Sequence, residues 1–324
     1  MAETREQLRN PQLRSLLDEA QAGFPLAQRP FSVLGHAVGW TEDTVLNRLL
    51  DMKNIGVLVR IGPVLDTANL GWTSTLIAAK IKDGKLSRVA EDISRWEEVT
   101  HCYARQGPYN LWFTLTRSIP KELENRIAEC RTLEGIEEIL DLRTVVKYKA
   151  DTRMPLSRVA FDSGLSRVTL DRPSSQDLRL LFTLSEGLEL VVEPYRRPCE
   201  ELGVTLSELF QGVHRCVSIG LVRRVCALLS HRALGFKHNV LCVKPCQLCE
   251  AETLAAELMH HPKISHIYLR KETLHESHMF CAMIHSESMD HFLQLRETIP
   301  CLNEFQSFLT TRCYKRSPFR GQEG

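Results

Sequence analysis

The chain contains an internal repeat. When its 324 residues are shifted by 164 positions, identical residues coincide without a gap. The matching pairs are Pro30/Pro194, Gly39/Gly203, Thr41/Thr205, Ile55/Ile219, Gly56/Gly220, Arg60/Arg224, Leu65/Leu229, Leu70/Leu234 and Gly71/Gly235. A shift of 165 places Val99–Arg105 on Ile264–Arg270 and repeats an H-x-Y-x-R motif. A repeat of this period predicts two copies of one ancestral subunit in a single chain.

Each copy begins with a helical part. In the first copy, an apolar stripe predicts the first helix, at Leu13, Leu16 and Leu17. Pro30 is typical of the start of a second helix, and Thr41 of the N-cap of a third. Gly56 is placed to end that helix, and Val57–Ile61 has the composition of a strand. This order predicts a winged helix-turn-helix.

The second part of each copy alternates strands and helices. In the first copy, strands predicted at 75–81, 99–105, 109–116 and 136–148 follow the order βαββαβ, a ferredoxin-like arrangement. The second copy repeats it from 240 to about 313, with helices near Leu254–His261 and Met289–Ile299. We therefore predict an α+β fold, a tandem repeat of a winged helix-turn-helix plus a ferredoxin-like βαββαβ ligand domain. The predicted segments are 1–72, 73–150, a linker at 151–175, 176–237 and 238–324.

Composition restricts the partners. Lys plus Arg is 41 and Asp plus Glu is 40, so the net charge of +1 excludes the global basicity of many nucleic-acid-binding proteins. No apolar run approaches the ~18 residues that span a bilayer, so we expect no membrane partner. Residues 1–10 have no apolar signal region, so the eleven cysteines are expected to stay reduced in the cytoplasm.

Local motifs identify a resemblance. The winged helix followed by βαββαβ resembles the Lrp/AsnC regulators. The segment Val99–Leu115 resembles the V-T-H-N-Y-x-R-x-x-x-Y-N-x-W-F-T-L segment of the siroheme decarboxylases, and Phe24–Leu26 and Arg29–Phe31 also match. In the second copy, Gly220–Phe236 matches their R-R-x-x-A-x-x-x-H-R-x-x-G-F. The duplication resembles the form of this family in which both subunits are fused.

This resemblance implies an enzyme, a carboxy-lyase. It would remove carbon dioxide from two acetate side chains of siroheme, giving 12,18-didecarboxysiroheme for heme d1 or alternative heme biosynthesis. We expect no required cofactor and no metal other than the iron of the substrate. The expected partners are the iron tetrapyrrole, a related decarboxylase pair and further copies of the chain in a homo-oligomer.

The two copies have diverged. Tyr109–Asn110 has no equivalent in the second copy, which instead carries several histidines between Ile264 and His285. The first copy has Thr67–Ala68 where the second has His231–Arg232, and Gly107 stands where many relatives have histidine. We predict that the halves are not equivalent, and the sequence leaves open which half is active.

The candidate residues suit this chemistry. Arginine binds carboxylates in a fork and stays charged when desolvated, and histidine can donate the proton that replaces carbon dioxide. The candidate catalytic residues are His266, His231, His285 and His101. The candidate substrate-binding residues are Arg223, Arg224, Arg232, Tyr268, Arg270, Tyr103 and Arg105. Each H-x-Y-x-R motif lies on one face of a strand because side chains alternate.

Other interpretations of these residues remain open. The strand histidines could be ordinary sheet residues, Arg223 and Arg224 could contact DNA phosphate or solvent, and His285 could be a buried core histidine. Cys242, Cys246 and Cys249 have the spacing of an iron–sulfur motif, but the βαββαβ pattern leaves no room for the barrel of radical enzymes. We expect packing cysteines there, with a zinc site that includes His260 or His261 as the alternative.

The alternative function is an Lrp/AsnC-type DNA-binding transcription regulator. Its recognition helices would be Thr41–Ile55 and Thr205–Ile219. The first carries Glu42, Asp43 and Asp51 against two cations, and neither has the density of Arg, Lys, Asn and Gln that groove recognition needs. We therefore do not expect DNA as a partner.

Overall fold

The computed structural model describes residues 6–66, 68–151, 153–154, 156 and 173–316. Most of the predicted linker 151–175 and Thr67 lie outside the described residues. In chain order the elements are α1 (Pro11–Ala22), α2 (Pro30–Val38), α3 (Glu42–Asn54), β1 (Leu58–Leu65), β2 (Thr73–Ile81), α4 (Leu86–Ser94), β3 (Val99–Arg105), β4 (Leu111–Arg117), α5 (Pro120–Thr132), β5 (Ile136–Ala150), α6 (Ser175–Ser185), α7 (Arg196–Leu202), α8 (Leu206–Ser218), β6 (Val222–Leu229), β7 (His238–Pro245), α9 (Leu248–Leu258), β8 (Ile264–Glu272), β9 (His278–Ser286), α10 (Met289–Thr298), a 3-10 helix (Pro300–Glu304) and β10 (Gln306–Arg316).

These elements form two compact units. The helical unit comprises the described parts of Met1–Leu70 and Thr152–Gly235, and the barrel unit comprises those of Gly71–Asp151 and Phe236–Phe319. Each unit therefore combines the corresponding parts of both sequence copies.

The helices of the helical unit begin and end where local chemistry dictates. The hydroxyls of Thr41 and Thr205 accept hydrogen bonds from main-chain N–H groups at the starts of α3 and α8, both at 3.3 Å. Gly39 and Gly203 end the preceding helices with φ of +74° and +66°, a conformation that favours glycine. The leucine stripe of α1 is buried, as predicted.

The two predicted wing strands pair with each other. β1 runs antiparallel to β6, with Gly62 opposite Cys226 and Pro63 opposite Val225. Each wing strand therefore obtains its main-chain hydrogen bonds from the other copy.

The barrel unit contains both βαββαβ repeats. The first has the strand order β3-β4-β2-β5 and the second β8-β9-β7-β10, the ferredoxin-like order in both cases. An isolated sheet of this kind would leave the main-chain groups of its outer strands unpaired. Here β3 pairs with β10 and β8 pairs with β5, which closes an eight-stranded antiparallel barrel. We call the β3–β10 pair the first seam and the β8–β5 pair the second seam.

The barrel unit has apolar residues on both faces of its strands. Each repeat has its own cluster of buried residues, in which the outer face of its sheet packs against its helices. A third, the interior cluster, draws on both repeats and consists of Ala78, Trp112, Leu142, Leu241, Val243, Cys281 and Phe308. The interior is therefore a shared core, which explains why the two repeats form one unit.

One helix was predicted too late in the sequence. The expected helix at Leu254–His261 spans Leu248–Leu258 instead. Its N-terminus is fixed by a capping box in which Gln247 and Glu250 satisfy each other's main-chain N–H groups. The apolar pattern alone missed this start because the first turn exposes Leu248.

Candidate active site

The two H-x-Y-x-R motifs lie on the strands that form the seams. The residues are His101, Tyr103 and Arg105 on β3, and His266, Tyr268 and Arg270 on β8. Residues opposite each other in an antiparallel pair project to the same face. Tyr103 lies opposite Trp112, and Tyr268 lies opposite Cys281. Because Trp112 and Cys281 belong to the interior cluster, both motifs face the inside of the barrel unit.

Each motif forms a continuous row of side chains. In the first copy, the centroid of the Tyr103 ring lies 6.1 Å from that of His101 and 5.4 Å from the Arg105 guanidinium carbon. In the second copy, Tyr268 lies 6.0 Å from His266 and 4.6 Å from Arg270. Both tyrosines therefore separate a candidate acid from a candidate carboxylate-binding cation.

Each motif arginine donates across its seam. Arg105 Nη1 donates to the main-chain oxygen of Phe308 at 3.3 Å and to Thr310 Oγ1 at 2.6 Å. Arg270 Nη1 donates to the main-chain oxygen of Leu142 at 3.0 Å and to Thr144 Oγ1 at 3.1 Å. The last strand of the second repeat, β10, thus orients Arg105 of the first repeat, and the last strand of the first repeat, β5, orients Arg270 of the second.

A chain of polar side chains extends from the second motif. Ser265 Oγ lies 2.7 Å from His266 Nδ1 and 2.6 Å from His285 Nε2. His285 Nδ1 lies 2.5 Å from Asn239 Oδ1. Ser265 and His285 are buried, at 2% and 6% exposure, whereas His266 and Asn239 are half-buried. One hydroxyl therefore joins two imidazoles. His285 is buried, and a catalytic role for it stays a prediction.

These contacts define a consistent proton arrangement. With Asn239 Oδ1 as acceptor, His285 donates from Nδ1, and its Nε2 accepts the Ser265 hydroxyl proton. Ser265 Oγ then accepts a hydrogen bond from Nδ1–H of His266. In this arrangement, Nδ1 is the nitrogen of His266 that bonds Ser265.

The first copy lacks the second imidazole. His101 Nδ1 lies 3.0 Å from Thr100 Oγ1, in the place where His266 meets Ser265. Thr116 and Ser74 lie opposite each other as His285 and Asn239 do, and they are joined by a hydroxyl hydrogen bond of 3.1 Å. Burial, with a smaller contribution from Arg316, lowers the pKa of His101 to about 4. His101 is therefore neutral at pH 7.

The two motif arginines differ in exposure. Arg105 is 5% exposed, and burial lowers the pKa of its guanidinium to about 10. Arg270 remains partly exposed. Arg105 is desolvated and directs Nη1 to protein acceptors, whereas Arg270 keeps some exposed surface.

The remaining candidates belong to the helical unit. His231 follows β6 and is 5% exposed, while Arg232 beside it is exposed. Arg223 Nη2 lies 3.1 Å from Asp66 Oδ2, so its charge is already paired with a carboxylate. Arg224 lies opposite Val64 on the paired wing strands. A role for these residues in substrate binding stays a prediction.

Two residues of the polar chain were missed from the sequence, Ser265 and Asn239. A signal for the first was present, because Thr100 and Ser265 place a hydroxyl immediately before the motif histidine in both copies. Asn239 gave no such signal, because its contact with His285 depends on the pairing of β7 with β9.

The spaced cysteines lie on β7, in the loop after it and on α9. Cys242 and Cys246 are buried, and Cys249 is exposed in the first turn of α9. Among the residues that the structure describes, no group of three or more His, Cys, Asp or Glu side chains could hold a metal ion. No disulfide is found in the same part of the chain.

Comparison with known proteins agrees with this architecture. Residues 69–149 and 233–317 match the AsnC-like ligand binding domain family, and residues 14–58 match the siroheme decarboxylase NirDL-like HTH domain. A siroheme decarboxylase of Hydrogenobacter thermophilus is 28% identical over 93% of this chain and 92% of its own length. The siroheme decarboxylase NirD subunit of Pseudomonas aeruginosa is 38% identical over 44% of this chain and 94% of its own length.

A solved structure shares the whole fold. The crystal structure of the siroheme decarboxylase NirDL has a TM-score of 0.72 at 23% identity, covering 95% of this chain and 94% of that one. A second NirDL structure, in co-complex with an iron-uroporphyrin III analogue, has the same TM-score at 24% identity.

The repeated ligand domain and the helix-turn-helix define the class, that of the AsnC-like proteins. Within this class, the chain belongs to the siroheme decarboxylase family. No described helix is long and apolar enough to cross a membrane.

Proposed function

We propose that this protein decarboxylates siroheme, removing carbon dioxide from two acetate side chains to give 12,18-didecarboxysiroheme. The observation that carries the proposal is the row His266, Tyr268 and Arg270, backed by the polar chain through Ser265 to His285. An imidazole and a guanidinium on one face of one strand support the roles of proton donor and carboxylate-binding cation. Family membership supplies the substrate class.

Substrate recognition is assigned to arginine. Siroheme is a polycarboxylate, and a guanidinium binds a carboxylate through two parallel hydrogen bonds. Arg270 is oriented by Leu142 and Thr144 through one terminal nitrogen and remains partly exposed. A substrate-binding role for Arg223, Arg224 and Arg232 of the helical unit is a separate prediction, which substitution of each residue tests.

The acid step is assigned to His266. Decarboxylation breaks the bond between the acetate methylene and its carboxylate, and the electron pair passes to the carbon next to the macrocycle. The conjugated ring delocalises this charge until a proton arrives. His266 donates that proton from Nε2, so each cycle converts one acetate and one proton into a methyl group and carbon dioxide. His285, through Ser265, holds Nδ1 of His266 in its donor state.

The second copy is the active one in this proposal. His101 is neutral at pH 7 because its pKa is lowered to about 4, and Arg105 is buried among protein acceptors. In the second copy, Ser265 links His266 to the imidazole of His285, and Arg270 is partly exposed.

The recognition helices support a scaffold role over DNA binding. Arg215 on α8 is paired with the buried carboxylate of Asp177 at 2.5 Å, and Arg48 on α3 lies 3.8 Å from Asp51. Cations already matched by the protein's own carboxylates contribute little to phosphate neutralisation.

The proposal includes association of the chain with further subunits and a location in the cytoplasm. The separately named subunits among the relatives support further association, with copies of this chain or with a related decarboxylase pair. The cytoplasm fits eleven cysteines without a disulfide among the described residues. No added organic cofactor is part of the proposed reaction.

Anaerobic incubation tests the proposal. Purified protein is given siroheme without an organic cofactor, and the tetrapyrroles are separated by chromatography and identified by mass. We expect successive losses of one and two carbon dioxide units. Unchanged siroheme after long incubation, with a related decarboxylase pair also supplied, would contradict it. A specific DNA footprint at physiological salt would favour the regulator instead.

A further inference from the structure

Asn239 lies at the end of the polar chain that is remote from His266. It lies directly opposite His285 in the pairing of β7 with β9, and its side-chain Oδ1 lies 2.5 Å from Nδ1 of His285. An amide oxygen has no proton to donate, so this hydrogen bond needs the proton on Nδ1 of His285. The amide of Asn239 thereby selects one of the two neutral tautomers of His285.

The direction of the other hydrogen bonds in the chain follows from that tautomer. Nε2 of His285 carries no proton, and it accepts the hydroxyl proton of Ser265 across 2.6 Å. The oxygen of Ser265 is then the acceptor for Nδ1–H of His266 at 2.7 Å. Because Nδ1 is already protonated, a further proton on Nε2 converts His266 to the imidazolium without breaking a bond of the chain.

The opposite tautomer of His285 would reverse the chain. Its Nε2–H would donate to Ser265, and the Ser265 hydroxyl would donate to Nδ1 of His266. That nitrogen would be occupied as an acceptor, which opposes formation of the imidazolium. The imidazolium is the stronger acid of the two forms of the ring, so the direction of the chain bears on proton donation by His266.

A shift in strand pairing brings Ser265 into this chain. Ile264 lies opposite Ile284 and His266 lies opposite Met283, so β8 has one residue more than β9 at this point. A bulge of this kind changes the direction in which a side chain projects. Ser265 therefore contacts the His266 ring, although consecutive residues of a regular strand face opposite sides of the sheet.

The main chain of Asn239 is held from the first copy. Nη1 of Arg105 donates to Thr310 Oγ1 at 2.6 Å, and it also makes a longer bond of 3.5 Å to the main-chain oxygen of Asn239. β10 lies between the strands of Arg105 and Asn239 and pairs with both. The motif arginine of the first copy thus lies beside the residue that orients His285 in the second.

The equivalent place in the first copy has a different chemistry. Ser74 lies opposite Thr116, and the two hydroxyls are joined at 3.1 Å. This pair contains neither an amide nor an imidazole, so it cannot select a histidine tautomer. Ser74 is therefore a matched control position for Asn239.

We propose that Asn239 is a positioning residue for decarboxylation: its side-chain oxygen holds His285 as the Nδ1–H tautomer and, through Ser265, favours the imidazolium form of His266. The inference rests on the proposed function for the reaction that the chain serves. The tautomer of His285 can nevertheless be measured without turnover.

Substitutions of Asn239 test its effect on the reaction. Asn239→Leu has a similar branched shape and removes the acceptor, so kcat for loss of carbon dioxide from siroheme should fall about tenfold. Affinity for iron uroporphyrin III, titrated into the full-length protein and followed by absorbance, should change by less than about threefold. Asn239→Asp keeps an acceptor oxygen and should retain kcat within about threefold. Ser74→Ala should leave both quantities unchanged.

Nitrogen-15 NMR of histidine-labelled protein tests the tautomer directly. At a pH where the imidazoles are neutral, His285 should be protonated on Nδ1 in the wild type and in Asn239→Asp. In Asn239→Leu, the signals of His285 should shift toward the Nε2–H form. His285→Gln assigns the signals, and Asn239→Ala replaces Asn239→Leu if circular dichroism shows that the leucine variant does not fold.

Several results would overturn the inference. These are a proton on Nε2 of His285 in the wild type, an unchanged tautomer in Asn239→Leu, an effect of this variant on affinity alone, and equal losses of kcat in Asn239→Leu and in Asn239→Asp or Ser74→Ala. The expected tautomers together with no release of carbon dioxide from siroheme would instead refute decarboxylation, and would leave the orientation of His285 by Asn239 supported.

Discussion

Ser265 Oγ lies 2.7 Å from Nδ1 of His266. The same hydroxyl lies 2.6 Å from Nε2 of His285, so the two imidazoles share one bridging atom. A hydroxyl has one proton to donate, and the tautomers of the two rings are therefore coupled through it. In the first copy, Thr100 reaches His101 in the same way, but Thr116 occupies the place of His285.

Ser265→Ala should slow turnover without weakening substrate binding. Loss of the bridge leaves Nδ1 of His266 without its partner and uncouples it from His285, so we expect kcat to fall about tenfold, equivalent to about 1.4 kcal/mol, with KM unchanged. Ser265→Thr keeps the hydroxyl and should restore most activity. The pH profile of kcat should shift in Ser265→Ala and not in Thr100→Ala. Equal losses in these two alanine variants would assign Ser265 a packing role only.

His266→Ala should reduce the rate of decarboxylation far more than it weakens substrate binding. Removal of a general acid typically costs about 10²- to 10⁴-fold in rate, and we expect a loss in this range from single-turnover product analysis. Affinity for iron uroporphyrin III should change less than threefold in the same variant. His101→Ala is the matched control at the first seam and should retain activity. A silent His266→Ala with an inactive His101→Ala would place the reaction in the other copy.

The two motif arginines should separate binding from stability. Arg270→Met removes a partly exposed guanidinium, and we expect affinity for iron uroporphyrin III to fall by about 10- to 100-fold, the equivalent of a charge-assisted hydrogen bond. Arg105→Met removes the cross-seam bonds to Phe308 and Thr310, and should lower the free energy of unfolding by about 2 kcal/mol. Denaturant unfolding and ligand titration of both variants distinguish these effects. Similar changes in both measurements for both variants would contradict the division of roles.

Local patterns predicted the elements well, because helix caps and strand alternation are written in neighbouring residues. Thr41 and Thr205 start helices as predicted, and the motif residues of β3 and β8 share one face. Contacts between the two copies could not be predicted from neighbouring residues. Nothing near Arg270 in the sequence indicates Thr144 as its partner, since that contact depends on β5 joining β8. The repeat predicted two separate βαββαβ ligand domains, at 73–150 and 238–324, whereas edge-to-edge pairing merges their sheets into one barrel unit.

His101 should make the fold sensitive to acid. Burial lowers its pKa to about 4 from 6.5, so the unfolded chain binds more protons than the folded one between these pH values. Stability is therefore full above pH 6.5 and decreases as pH falls toward 4, by about 2 kcal/mol between pH 7 and pH 5 from this residue. His101→Gln has no proton to bind and should lose about 2 kcal/mol less over that interval. Urea midpoints measured for both proteins at pH 7 and pH 5 check this prediction, and parallel decreases would show that His101 is not the responsible group.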